Sequence, residues 1–192
     1  MLLRGLFFIF AAVLCTACVS GTPSGPVGHG TTKQLQSASL EDYKLGPGDR
    51  LRIVIYDEPT LSSEYVVSPK GRIAFPLVGE VQAEGMTITD FSRSLEAQLK
   101  TGFLKNPQAS AEVLVYRPFY ILGQVQQPGT YPFAAGMTVM SAAATAGGFT
   151  YRADSRRVYI KHVGQDAEVA YDLTSQTPVQ PGDTVRIGER LF

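Results

Sequence analysis

YILGQVQQPGTYPFAAGMTVMSAAATAGGFT, residues Tyr120 to Thr150, is the stretch from which the fold is read. It predicts one compact β-β-α unit. Tyr120, Leu122 and Gln124 alternate with Ile121, Gly123 and Val125, as a strand requires. Pro128-Gly129 suits the two central positions of a type II turn, proline presetting φ at the first and glycine supplying a positive φ at the second. Thr130 to Phe133 then begins a return strand, which Gly136 breaks. Thr138 is placed to cap a short helix over Val139 to Ala146. Val139, Ala142, Ala143 and Ala146 fall on one face at helical spacing, and their small size lets the helix lie close against a sheet. Gly147-Gly148 ends the helix, because a left-handed C-cap favours a residue without a Cβ.

Working outward, the chain before this unit carries Leu45-Gly46-Pro47-Gly48-Asp49 leading into Arg50 to Tyr56, where Leu51, Ile53 and Ile55 alternate with Arg50, Arg52 and Val54. That alternation predicts a strand with one face inward. Arg72 to Phe75 and Leu77 to Gln82 read as two shorter strands, punctuated by Lys70-Gly71 and Pro76. A helix opening at Thr87 or Thr89 runs to about Gly102. Phe91, Leu95 and Leu99 form its apolar face, extended by Ile88, and Arg93, Glu96, Gln98 and Lys100 point away. Asn106-Pro107 turns the chain, and Ala109 to Tyr116 is a strand with Val113 and Val115 on one side. Beyond the opening unit, Arg157 to His162 and Glu168 to Leu173 alternate as strands, and Gln180-Pro181-Gly182-Asp183 turns into a last strand, Thr184 to Ile187.

Pro47-Gly48-Asp49-Arg50-Leu51-Arg52-Ile53 and Pro181-Gly182-Asp183-Thr184-Val185-Arg186-Ile187 are near copies. Duplication is one explanation. The reading we favour is that both use the same proline-glycine turn, with aspartate accepting backbone hydrogen bonds. Strands, two short helices and returning strands together give an α+β fold.

Of 192 residues, 44% are hydrophobic and 18% charged, with 17 Lys+Arg against 17 Asp+Glu. A net charge of zero gives no sign of a nucleic-acid binder, which would usually carry a basic excess. There is no apolar run of about 18 residues or more, so no helical membrane span is expected. Both cysteines, Cys15 and Cys18, lie near the N-terminus, so disulfides cannot hold the folded part.

Arg4, the apolar run Leu6 to Leu14 and the small residues Thr16-Ala17 before Cys18 have the anatomy of a secretory signal. With cysteine directly after the cleavage site, it resembles a bacterial lipoprotein signal, which implies acylation of Cys18. Cys15 stands where such signals usually have leucine. The alternative is simple cleavage that leaves a soluble periplasmic protein. Two or more acyl chains would anchor the chain stably, at ~0.8 kcal/mol per buried methylene. The absence of aspartate at Val19-Ser20 favours, by analogy with lipoprotein sorting, the outer membrane. Residues 18–40, rich in Gly, Ser, Thr and Pro, read as a flexible tether.

Gly123-x-Val125, Pro128-Gly129-x-Tyr131, Gly136-Met137-Thr138 and Ala146-Gly147-Gly148-Phe149 resemble the soluble-ligand-binding β-grasp (SLBB) module. Leu45-Gly46-Pro47-Gly48-Asp49-x-Leu51, Val67-Ser68-Pro69-Lys70-Gly71-Arg72-Ile73, Pro76-Leu77-x-Gly79-x-Val81, Gly85-Met86-Thr87 and Asn106-Pro107 resemble the bacterial polysaccharide export domain. A lipoprotein signal, that domain and an SLBB module follow in the order of the bacterial outer-membrane polysaccharide export lipoproteins. The resemblance implies a signal over 1–17, a lipidated tether over 18–40, a small β-rich polysaccharide export domain over 41–118 and an SLBB β-grasp domain over 119–192. It further implies a homo-oligomeric ring, an octamer, that passes capsular or exopolysaccharide across the periplasm and outer membrane. Its partners would be an inner-membrane polysaccharide co-polymerase, the polysaccharide, and the outer membrane through the lipid. Gly188 to Phe192 leave no length for the C-terminal membrane-crossing helix of long family members, so a short form is expected. A separate outer-membrane β-barrel would then supply the pore.

Asp57-Glu58 are adjacent and suit a solvated turn better than a glycosidase pair. No G-x-S-x-G elbow, P-loop or G-x-G-x-x-G is present. His29 and His162 are assigned no metal or acid-base role, and no cofactor is expected. Tyr116, Tyr120, Tyr131, Tyr151 and Tyr159 could offer stacking faces to sugars, or serve only as strand residues. Arg152, Arg156 and Arg157 sit together after the second helix, available to an acidic polymer or a neighbouring subunit's carboxylate, or as a solvated loop. The expectation is an export component and not an enzyme. The rivals are a monomeric periplasmic glycan-binding lipoprotein and an enzyme acting on the polymer.

Overall fold

A computed structural model describes residues 43–190. The expected signal, Cys18 and the tether over 18–40 lie outside the described residues. Two buried apolar clusters organise what is described, one drawn from Leu45 to Leu99 and one from Phe119 to Ile187.

The first cluster sits under a three-stranded antiparallel sheet. Its central strand β1 (Arg50–Ile55) lies between β2 (Ser63–Val66) and β5 (Ala109–Val115). The hairpin β3 (Arg72–Phe75) and β4 (Gly79–Gln82) adds Ile73, Phe75 and Val81 to the same core. The helix α1 (Ile88–Lys100) closes it: Thr87 caps the first turn by accepting from the Asp90 N–H, and Phe91, Leu95 and Leu99 are fully buried. Burial of each contributes about 1.5–3 kcal/mol. Glu96, expected to point away, instead accepts the Ala109 N–H at 2.8 Å and ties α1 to the start of β5.

Three details of this half differ from the sequence reading. The strand expected from Leu77 begins only at Gly79, because Leu77 adopts φ +70° in a tight turn and is exposed. The short polar edge strand β2 has no alternating apolar pattern and left no signal. Val113 and Val115 do not share a buried side: a register shift between Arg50 and Leu51 rotates the end of β5, so Val113 packs on the core and Val115 faces outward.

The second cluster lies between a five-stranded sheet and the helix α2 (Val139–Thr145). The strands are β6 (Phe119–Gly123), β7 (Gly129–Tyr131), β8 (Ala153–Lys161), β9 (Val169–Asp172) and β10 (Thr184–Glu189), in the order β7-β6-β10-β8-β9. The first and last strands, β6 and β10, run parallel at the centre, with antiparallel pairs on either side. This is the β-grasp arrangement, and the whole is α+β. Val139, Ala142, Ala143 and Ala146 are all buried on the sheet, as their spacing predicts. Thr138 and Ser141 form a reciprocal capping box. Gly147 and Gly148, both at positive φ, end the helix.

The turn expected at Pro128-Gly129 is corrected by the structure. Gly129 is not at positive φ and opens β7. The left-handed residue is Gly123, at φ +88°, where the chain leaves β6 for a longer loop pinned by the Val125–Phe149 bridge. A Cβ at Gly123 would lie 2.1 Å from the Ile187 carbonyl oxygen of β10, so the parallel pair itself requires glycine there.

Candidate functional site

The two Pro-Gly-Asp turns fold alike. Gly48 and Gly182 take φ +93° and +84°. Asp49 and Asp183 are 0% and 1% exposed, and each carboxylate accepts a backbone N–H three residues back, from Gly46 and Gln180, both at 2.8 Å. Each aspartate's own N–H returns to the carbonyl of that same residue. Each aspartate carbonyl then accepts an N–H from a neighbouring chain segment, Val67 in the first case and Tyr120 in the second. The carboxylates therefore build the turns that feed β1 and β10, the role read from the sequence.

The two carboxylates differ in their remaining partners. Asp49 accepts the Arg117 N–H at 2.8 Å and the Tyr43 hydroxyl at 2.7 Å. Asp183 lies 2.8 Å from Nδ1 of His162, whose Nε2 is 3.3 Å from the Tyr171 hydroxyl. Arg117 joins the pair: its backbone bonds the first turn, and its Nε donates to the Pro181 carbonyl of the second at 3.1 Å. Its guanidinium lies over the Tyr43 ring at 5.5 Å, where a Cβ on Gly46 would collide with it. Tyr116 stands edge-on to both Tyr43 and Phe133, with centroids 5.1 and 5.5 Å away. Burial, then the bond to Asp49, pushes the Tyr43 hydroxyl well above the usual tyrosine range. Tyr116 and Tyr171 are also raised, by burial first and then by Asp49 and Asp183 respectively.

Above this network opens a cleft of about 610 Å³, walled by Tyr43, Arg117, Phe133, His162, Gln176 and Gln180. It combines aromatic surface with convergent polar groups, the composition of a small-ligand site. Among the described residues no cluster of His, Cys, Asp and Glu is placed to hold a metal, and no helix is long and apolar enough to cross a membrane.

Of the residues singled out in the sequence, Pro47, Gly48 and Asp49 form the turn that carries this network but do not themselves line the cleft. Pro128, Gly129, Gly147 and Gly148 shape the β-β-α unit and do not line the cleft. The three arginines do not converge. Arg152 pairs with Glu189, Arg156 lies 3.6 Å from Asp154, and Arg156 and Arg157 are consecutive in β8, so their side chains leave opposite faces of the sheet. Asp57 sits in a turn at φ +62°, with the Glu58 N–H bonded back to Ile55. The tyrosines scatter: Tyr116 joins the aromatic cluster, Tyr131 stacks on Phe119, Arg186 covers Tyr159, and Tyr120 and Tyr151 are exposed. Cys18 lies outside the described residues. The sequence reading missed Tyr43, Arg117 and the part His162 plays here. The available signal was the repeated heptad: two buried aspartates imply donors, and those donors sit far away in the chain.

The family model for the polysaccharide biosynthesis/export protein matches residues 37–114, and that for the SLBB domain matches residues 118–173. Among curated proteins, the chain is similar to the exopolysaccharide production protein ExoF of Rhizobium meliloti, 34% identical over 146 residues, covering 68% of this chain and 34% of that protein. It is similar to the EPS I polysaccharide export outer membrane protein EpsA of Ralstonia nicotianae, 28% identical over 187 residues, covering 80% of this chain and 49% of that protein. It is also similar to the polysialic acid transport protein KpsD of Escherichia coli, 28% identical over 109 residues, covering 56% of this chain and 20% of that protein. The matches thus span between a fifth and a half of these relatives' length.

Proposed function

The chain belongs to the polysaccharide biosynthesis/export protein family, its export domain followed by one SLBB domain, and from this we propose that it exports capsular or exopolysaccharide across the bacterial cell envelope. The observation that carries the reading is the pairing of the two family domains, in that order, over residues 37–114 and 118–173. The names of ExoF, EpsA and KpsD support the substrate class, and that of EpsA supports placement at the outer membrane.

In this proposal residues 41–118 and 119–192 act as the two working domains of a periplasmic ring component, anchored to the outer membrane through acylated Cys18. Copies close into a ring, an octamer, through a head-to-tail interface. The ring receives polymer from an inner-membrane polysaccharide co-polymerase and delivers it to a separate outer-membrane β-barrel. The protein contributes shape and a polar surface and performs no bond chemistry on the polymer.

The test is deletion of the gene together with native mass measurement of the detergent-solubilised protein. Loss of secreted polymer and a ring-sized assembly are expected. A monomer in mild detergent from a strain that secretes normally would overturn the reading. Cys18→Ser is expected to move the protein from the membrane to the soluble periplasmic fraction; continued sedimentation with outer membrane would remove the lipid anchor from the proposal.

A further inference from the structure

We propose that the cleft floored by Arg117, His162 and the Pro181-Gly182-Asp183 turn is a saccharide subsite, which takes a mono- or disaccharide segment of the polymer in transit. The inference rests on the export reading and goes beyond it by naming the residues that touch the sugar.

Volume comes first. About 610 Å³ falls within the range of roughly 300–1,000 Å³ for small-ligand clefts. The lining chemistry is next. Tyr43 and Phe133 bring aromatic surface, and the side chains of Lys44, Glu84, Gln176 and Gln180 make no hydrogen bond among the described residues. An amide both donates and accepts, as a sugar hydroxyl does, so Gln176 and Gln180 can pair with vicinal hydroxyls without matching a fixed charge. Lys44 and Glu84 add one donor set and one acceptor set.

The third point is rigidity. The cleft floor is the hydrogen-bonded set of Asp183, His162 and Arg117, itself braced on Asp49 and Tyr43. Ligand entry does not have to order these groups, and that lowers the cost of binding. Of the side chains free to meet a sugar, Lys44, Glu84 and Gln176 are exposed and Gln180 is half-buried, so each contributes modestly. The subsite therefore binds weakly, at about millimolar affinity, as passage of a polymer requires.

The test uses the full-length protein in detergent and oligosaccharides prepared by partial hydrolysis of the host strain's own exopolysaccharide. Saturation-transfer NMR reads binding to wild type, to Gln176→Ala/Gln180→Ala, to the near-isosteric Gln176→Glu/Gln180→Glu, and to Arg72→Ala, a substitution outside the cleft. Binding by wild type and by Arg72→Ala, with a loss of about tenfold or more in both cleft variants, is expected. Melting temperatures confirm folding, and the second pair reads the site if the first is destabilised. Absence of signal at about 10 mM oligosaccharide, or equal binding by all variants, overturns the subsite. So does efficient cross-linking of Gln176→Cys to a neighbouring copy that oligosaccharide does not reduce, because the cleft is then an assembly contact. No binding combined with a secretion defect on gene deletion overturns this inference alone. Binding with normal secretion overturns the export reading and leaves the subsite in place.

Discussion

The turn at Pro47-Gly48-Asp49 and the turn at Pro181-Gly182-Asp183 share a local sequence and a local geometry, yet they are held by different parts of the molecule. In each, the carboxylate satisfies the N–H three residues back. The first carboxylate then takes a tyrosine hydroxyl and a distant backbone N–H, while the second faces an imidazole. The strand that follows also meets different neighbours: β1 has antiparallel partners on both sides, and β10 has one parallel and one antiparallel. A short motif therefore dictates the turn and leaves the long-range partners to the fold. The two turns also form one structure, because Arg117 is bonded to both.

The largest expected break in this symmetry is Asp49→Ala. It strands the Gly46 and Arg117 N–H groups and the Tyr43 hydroxyl, all around a fully buried position. A loss of about 4 kcal/mol in urea unfolding is expected. Asp183→Ala leaves two donors instead of three and should cost about 2–3 kcal/mol. Equal losses would show that the distal partners add nothing to the shared turn.

Arg117→Ala comes next, at about 1 kcal/mol, since the backbone bond to Asp49 survives and only the Nε bond and the stacking on Tyr43 are lost. Its sharper readout is coupling. Combined with Asp183→Ala, the sum should fall short of additive by about 0.5 kcal/mol or more, because Arg117 bonds the turn that Asp183 shapes. Strict additivity would separate the two turns energetically.

The smallest expected effect is with pH. The Tyr43, Tyr116 and Tyr171 hydroxyls titrate above their ordinary value in the folded protein. The unfolded chain releases these protons at about pH 10, before the native state does. Stability from them is thus complete below about pH 10 and declines as pH rises beyond it. Tyr43→Phe should make that alkaline decline shallower than Tyr171→Phe does, since the Tyr43 hydroxyl, which donates to the Asp49 carboxylate, is held further above its ordinary value. Identical slopes would place the two tyrosines in equivalent surroundings.

Much of the fold was legible from the sequence. The apolar faces of α1 and α2 and the alternation of β1, β3 and β10 are local patterns, and burial follows them residue by residue. Errors arose where a distant segment intervenes. Gly129 reads as a turn glycine in any local window, but the loop is pinned by Phe149, so the positive φ falls on Gly123 instead. Val115 alternates correctly with Val113 and still faces outward, because the register of β5 shifts against β1. Arg152, Arg156 and Arg157 are neighbours in sequence, but a strand sends successive side chains to opposite faces. In the candidate site, Asp49 was visible through its motif, whereas Tyr43, Arg117 and His162 carry no signature of their own.

By itself the amino-acid sequence determined most of the elements, the caps of both helices and the repeated turn, because each depends on residues within a few positions of one another. Only the tertiary structure decided that two turns 134 residues apart (from Pro47 to Pro181) share Arg117, and that a cleft opens where Arg117 meets the second of them. The physical reason is that a buried carboxylate must find its donors wherever packing brings them. Local sequence states that need but not which residue will meet it.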